Sequence, residues 1–348
     1  MVNDENDRHR RIQPALLDWY DRTRRDLPWR RTRDPYAKWI AETMLQQTQV
    51  QTVLPYYRRF LKAFPSIGAL DRARRDRVLA LWSGLGYYHR AVNLKRAAAA
   101  IVNVHGGKIP RDFRALCALP GIGAYTAGAL MSMAFGEPYP AVDGNARRVL
   151  ARIFDAATEK SLREIAARLV AISRPGDFNQ ALMDLGATVC LPREPRCGEC
   201  PLASRCAARK RGNIQNRLAP KPAVRKIDWP LALIEKDGKI LLRRRPRGGI
   251  LPGLWEIPGG ERKKSESLRA ALERHLDGAG DRVKLENVMG VIRHSITNRR
   301  IRARVYRCAC ESPVSAPEPG WRWFALSSLH RHPLSSLSLK AARLITKS

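Results

Sequence analysis

At 348 residues the chain is long enough for two domains with sizeable cores. Its 64 lysines and arginines against 32 aspartates and glutamates give a formal net charge of +32, which argues for a polyanionic partner, most simply nucleic acid. No apolar run approaches the ~18 residues of a membrane span, and MVNDENDRHRR lacks the apolar core of a signal peptide, so a soluble intracellular protein with no membrane attachment is expected.

In chain order, residues 1–10 are expected to fray ahead of a short amphipathic helix from Ile12 to Tyr20. Asp34-Pro35 reads as a cap followed by proline at the first helical position. It opens a helix with the apolar stripe Tyr36, Trp39, Ile40 and Met44, which also carries Glu42. That glutamate is either a boundary residue or, in a cleft, a carboxylic acid kept protonated by desolvation. Gly84 to Tyr88 taken alone is a glycine turn with core aromatics. Leu119-Pro120-Gly121-Ile122-Gly123 precedes a small-residue helix, and its freed amides form a seat for phosphate. Asp143 reads as the N-cap of the next helix. Further helix is expected over Leu162 to Ile172 and Phe178 to Val189.

Cys190, Cys197, Cys200 and Cys206 follow with the spacing C-x6-C-x2-C-x5-C. Four thiols so close in an intracellular chain argue for metal over disulfides, and zinc suits them as well as iron and sulfur do. Cys117, Cys308 and Cys310 are expected to be inert thiols. Ala208 to Lys226 is basic and proline-containing, a linker. Beyond it come strands, Leu231 to Ile234 and Ile240 to Leu242 around a Lys-Asp-Gly-Lys turn, and a helix near Ser265 to Leu276.

LPGIG followed about twenty residues later by VDGN resembles the helix-hairpin-helix and aspartate signature of the base-excision DNA glycosylase superfamily that includes endonuclease III. The resemblance implies that the hairpin at Gly121 and Gly123 grips DNA backbone and that Asp143 faces the sugar of an extruded nucleotide. Trp29-Arg30, ETMLQQTQV over 42–50 and WSGLGYY over 82–88 resemble the MutY family of adenine DNA glycosylases. In that family Glu42 would protonate adenine and help activate water. Gln47, Thr48, Leu85, Gly86 and Tyr87 would enter the duplex around the mispaired purine, and Arg30, Leu45 and Gln180 would line the adenine pocket. Tyr125 and Asn145 would position the two carboxylates. Bifunctional relatives place a Schiff-base lysine where this chain has Tyr125, and a phenol forms no imine, so strong lyase activity is not expected.

The same resemblance makes the four cysteines ligands of a [4Fe–4S] cluster. GLWEIPGG over 253–260 and the helix after it resemble the Nudix-type C-terminal domain of the family. LRAALERH supplies one glutamate, Glu273, where magnesium-dependent hydrolysis needs several, so independent Nudix hydrolysis is not expected. The family's 8-oxoguanine-reading loop maps to Ser295, Thr297 and Asn298. The usual Phe-Ser-His is replaced by Ile296-Thr297-Asn298, and the aromatic is lost.

The expected fold is α+β and multidomain: an all-α helix-hairpin-helix glycosylase domain with a cluster loop over 1–213 (six-helix barrel about 30–135, cluster lobe 11–29 and 136–213), a basic linker over 214–227, and an α+β Nudix-like mismatch-recognition domain over 228–348. The expected function is monofunctional removal of adenine opposite 8-oxoguanine or guanine in double-stranded DNA, by base flipping and N-glycosidic hydrolysis. The protein is expected to be a monomer acting in a bacterial cytoplasm at the nucleoid. The competing readings are a bifunctional endonuclease III-like glycosylase/lyase and a non-catalytic iron–sulfur DNA-binding protein.

Overall fold

The computed structural model describes residues 2–156, 158–212, 214, 223–246, 253–277, 279, 283–296, 298–310 and 319–345. The chain packs as two compact units, one made of residues 1–53, 64–71 and 96–220, the other of 54–63, 72–95 and 221–348. The helices, in order, are α1 (Val2–Thr23), α2 (Pro35–Leu45), α3 (Val50–Ala63), α4 (Ile67–Arg72), α5 (Arg75–Trp82), α6 (His89–His105), α7 (Phe113–Ala118), α8 (Ala124–Met133), α9 (Gly144–Phe154), α10 (Glu159–Leu169), α11 (Pro175–Thr188) and α12 (Ala207–Lys210). No helix among the described residues is long and apolar enough to cross a membrane.

Local chemistry explains the helices that carry the site. Asp34 accepts from the amides of Tyr36 and Ala37, and Pro35 supplies the first helical φ, so α2 starts where expected. Every residue from Tyr36 to Met44 is buried, so α2 is a central helix rather than an amphipathic surface one. The helix α1 begins at Val2, not at Ile12, and continues through Pro14: the polar first turns need no apolar stripe to remain helical. From Ile12 onward it contributes Leu16 and Tyr20 to a core with Val149 and Leu150 of α9, Leu162 and Leu169 of α10, and Phe178 and Leu185 of α11. The helices α9 and α11 approach closely at Gly186, where an added Cβ would lie 2.6 Å from the Cβ of Asn145.

The second unit holds β1 (Arg225–Lys236), β2 (Lys239–Arg244), β3 (Trp255–Glu256), α13 (Leu268–Leu276), β4 (Val283–Ile296), β5 (Arg299–Cys310), β6 (Trp321–Ala325) and α14 (Ser336–Ala342). The strand order is β3-β2-β1-β5-β4, with β6 on the other edge of β2. The pair β1–β5 is parallel, while β4–β5 is an antiparallel hairpin with a register shift near Val288. The strand expected over Leu231 to Ile234 is the middle of a longer one, and β1 already begins inside the expected linker, because its polar start pairs with equally polar Arg299 and Arg300. The rest of the linker, 215–222, lies outside the described residues. The two sheet faces build separate cores, one with Leu337 and Ala341 of α14, the other with Leu272 of α13.

Candidate functional site

Glu42 sits in the third turn of α2 with 6 % of its surface exposed. Its Oε2 accepts a hydrogen bond from the hydroxyl of Tyr125, in the first turn of α8, at 2.5 Å. Burial raises its pKa above the ordinary glutamate value; the phenol lowers it, the negative charge of Asp143 raises it, and the charges of Lys38 and Arg30 lower it. Burial and both carboxylates hold the phenol of Tyr125 well above its usual range, so it stays a neutral donor.

Asp143 does cap α9, as expected. Its Oδ1 accepts from the amides of Asn145 at 2.9 Å and Ala146 at 2.7 Å, and its Oδ2 accepts from Asn145 Nδ2 at 3.2 Å. Burial raises its pKa, opposed by those three donors and by Arg148. Two carboxylates therefore share a desolvated site with unequal support. Asp143 has three donors for its anion, whereas Glu42 has one. Such inequality separates an acid from a charged stabiliser.

Arg30, whose charge acts on Glu42, and Gln180 belong to the same unit as this pair. Asp184 of α11 receives Arg30 at 2.7 and 3.0 Å and Arg25 at 2.9 Å. Gln180, one turn earlier on α11, is buried and donates to the carbonyl of Gly176 at 3.2 Å. Lys38, one turn before Glu42, is also buried and donates to the carbonyl of Trp29 at 3.2 Å. Leu45 ends α2 half-buried.

The expected DNA-contacting turns are backbone-strained or solvent-facing. Gln47 is exposed with a φ of 58° and Thr48 bonds the Gln46 carbonyl at 3.3 Å. The helices α7 and α8 form a helical hairpin whose turn exposes Gly121, at φ 78°, and Gly123. In the other unit Tyr87 takes a φ of 46°, strained for a non-glycine residue. The buried guanidinium of Arg90 donates to the carbonyls of Leu85, Gly86 and Tyr87 at 3.2 to 3.4 Å, which fixes that loop. Leu85 itself is buried, so service as a wedge requires the loop to release it.

Cys190, Cys197, Cys200 and Cys206 are free thiols lining one cavity, about 430 Å³ of empty space counting its mouth. Among the described residues no three Cys, His, Asp or Glu side chains converge as a single-ion site would require. The thiols surround a volume instead, and burial pushes Cys200 up to about 11. Arg152 Nη1 donates to Cys190 Sγ at 3.3 Å and Arg209 also lines the cavity. The donor set and the adjacent cations suit an anionic thiolate-bound cluster.

Residues 40–175 match the family described as HhH-GPD superfamily base excision DNA repair protein, and residues 231–343 match the NUDIX domain family. Human adenine DNA glycosylase is 36 % identical over 397 residues, covering 94 % of this chain and 73 % of its own length. The chain belongs to the adenine DNA glycosylase family. The rat adenine DNA glycosylase is 35 % identical, covering 94 % of this chain and 76 % of its own. Among solved structures, a thermostable thymine-DNA glycosylase is similar at 33 % identity and a TM-score of 0.57, covering 60 % of this chain and 99 % of its own.

In this member of the family, sequence reasoning missed Arg148. Its Nη2 donates to Asn145 Oδ1 at 2.9 Å and to the Gly186 carbonyl at 2.6 Å, while Nε donates to the Cys190 carbonyl at 2.8 Å. One guanidinium thus ties the partner of Asp143 to the first cysteine. An arginine on a helix in so basic a chain gives no signal of this, because two of its partners are carbonyls some forty residues away. Arg148→Gln is expected to slow the chemical step by about 10- to 100-fold, as loss of an orienting partner does. A single-turnover rate equal to wild type would contradict that role.

Glu273 pairs with Arg269 at 3.0 Å, and Glu266 with Arg274 at 2.8 Å. Ser295 is exposed on β4, and Asn298 donates to the Ala223 carbonyl at 3.1 Å. Thr297 lies outside the described residues.

Proposed function

We propose that the protein is a monofunctional adenine DNA glycosylase of base-excision repair, hydrolysing the N-glycosidic bond of adenine opposite 8-oxoguanine or guanine in duplex DNA. The observation that carries it is the buried Glu42–Tyr125 pair beside the hydrogen-bonded carboxylate of Asp143. A flipped adenine is a poor leaving group until protonated. Glu42, whose protonated form burial favours, delivers the proton as the bond to the sugar breaks. Asp143, whose carboxylate accepts from three donors, stabilises the oxocarbenium-like sugar by charge or as a transient nucleophile. Water completes the abasic site. Tyr125 supports this chemistry and offers no amine for imine formation.

Arg30, Leu45 and Gln180 are assigned to the adenine pocket, Gln47, Thr48, Leu85, Gly86 and Tyr87 to the gap left by the flipped base, and Gly121 and Gly123 to the phosphate backbone. Ser295, Thr297 and Asn298 are assigned to the base opposite. Cys190, Cys197, Cys200 and Cys206 would hold a [4Fe–4S] cluster, whose contribution is to fix the cysteine loop and, when redox-active, to exchange an electron. The protein is assigned as a monomer, with the helical glycosylase region over 1–213, linker over 214–227 and Nudix-like region over 228–348.

The test is single-turnover release of free adenine from duplexes with adenine opposite 8-oxoguanine, guanine or thymine. Release from the first two and little from the third supports the assignment; equal release from all three removes the opposite-base reading. A further variant separates burial from hydrogen bonding at Glu42. Tyr125→Phe deletes the donor that favours the carboxylate, so the Glu42 pKa rises further. The alkaline limb of the rate profile should move to higher pH, against Asp143, Lys38 and Arg30 as an unchanged background. A shift to lower pH contradicts the assigned proton donor.

A further inference from the structure

One face of the β1–β5–β4 sheet is built in two halves. Toward the Cys308 end, Ala232, Ile234, Leu285 and Cys308 form a core with Leu272 of α13. Toward the other end the same side of the strands carries Lys226 and Asp228 of β1, Arg300, Arg302 and Arg304 of β5, and Arg293 of β4, as the ladder registers require. Arg293, Arg300 and Arg302 are exposed, and neighbouring Val291 keeps 49 % of its surface. The opposite face is fully used by the core that holds Ile301, Ala303 and Val305.

The charges on this bare half work against the fold. Arg293 stands directly opposite Arg302 across the antiparallel ladder, an arrangement that destabilises a sheet. Asp228 lies beside Arg302 in the parallel ladder, but its carboxylate pairs with Arg262 at 3.4 Å. Among the described residues none of Arg293, Arg300, Arg302 and Arg304 has a carboxylate partner. Alternate residues of one strand place the three β5 guanidinium groups along roughly 13 Å, about four steps of a duplex at 3.4 Å each.

We propose that this arginine face binds the phosphate backbone of duplex DNA, extending the grip of the protein beyond the hairpin end at 295–298. Ser295 pairs in register with Arg300, so the stripe runs continuously from that end. A linear polyanion fits evenly spaced cations of one sign. An acidic protein partner would need large central anchors, and the exposed apolar side chains among the described residues on this side are the small Val288 and Val291. The inference rests on the reading of the chain as a DNA glycosylase.

The test uses the full-length protein and a fully matched duplex, with the dissociation constant followed by fluorescence anisotropy as salt is varied. Replacing Arg300, Arg302 and Arg304 together by Ser should reduce the slope of log affinity against log salt by about two to three, and weaken binding more than tenfold at ~0.15 M salt. Lys at the same three positions should keep most of the slope. Arg302→Gln by itself, expected to reduce the slope by about one, carries the test should the triple variant not fold. An unchanged slope and affinity in these variants would overturn the proposal. Adenine release by wild type, measured separately, keeps the two readings apart. Release with an unchanged slope removes the arginine face alone, and a reduced slope without release removes the glycosylase reading alone.

Discussion

Glu42→Gln is expected to abolish adenine release while leaving duplex binding within a few-fold of wild type. The amide keeps the shape of the side chain and an oxygen to accept the Tyr125 hydrogen bond, so packing around α2 survives. It has no acidic proton to give, and loss of a positioned general acid slows a reaction about 100- to 10,000-fold. Single-turnover excision and anisotropy binding on the same duplex separate the two effects; a rate within tenfold of wild type contradicts the role of Glu42. Stability carries a second signature. A glutamate whose folded pKa is raised contributes stability that is complete below its unfolded value near ~4.3 and lost as pH rises through the folded value. Glu42→Gln removes that liability, so its thermal midpoint should exceed that of wild type at neutral pH and converge with it in acid. Activity and stability are opposed at this position because the same desolvation serves one and costs the other.

Asp143→Asn separates a cap from a catalyst. Asparagine caps helices about as well as aspartate, and its oxygen can still accept from the amides of Asn145 and Ala146. The start of α9 should therefore hold, with a thermal midpoint close to wild type. The negative charge that stabilises the developing cation on the sugar is gone, and losses of this kind run to about 100- to 1,000-fold. If Asp143 only caps α9, the same variant retains full activity. Circular dichroism and single-turnover excision on one preparation decide between them.

The local patterns made Asp143 legible as a helix cap after Pro140-Ala141-Val142 and Glu42 as part of the helix opened by Asp34-Pro35, while the roles of both carboxylates came from the family resemblance. The turn at Gly121 and Gly123 and the strand pattern after residue 230 were legible for the same reason. What supports the site was not. Arg148 and Asp184 bind groups far away in sequence, and Arg90 folds back on carbonyls three to five residues before it; no spacing marks the two arginines among 64 basic residues. The burial of Leu85 was hidden too, since a Gly-Leu-Gly turn reads the same whether its leucine faces solvent or core. The start of β1 at Arg225 was masked by composition: a basic, proline-containing stretch reads as tether until pairing with β5 is known.

The most direct measurement is single-turnover treatment of a duplex holding one adenine opposite 8-oxoguanine, with strand integrity read before and after hot alkali and Glu42→Gln run alongside. The account predicts intact strands before alkali, cleavage at the adenine after it, and neither in the variant. Strand scission without alkali, trapped by borohydride as a protein–DNA adduct, or no cleavage at all from a protein that binds the duplex tightly, would contradict it.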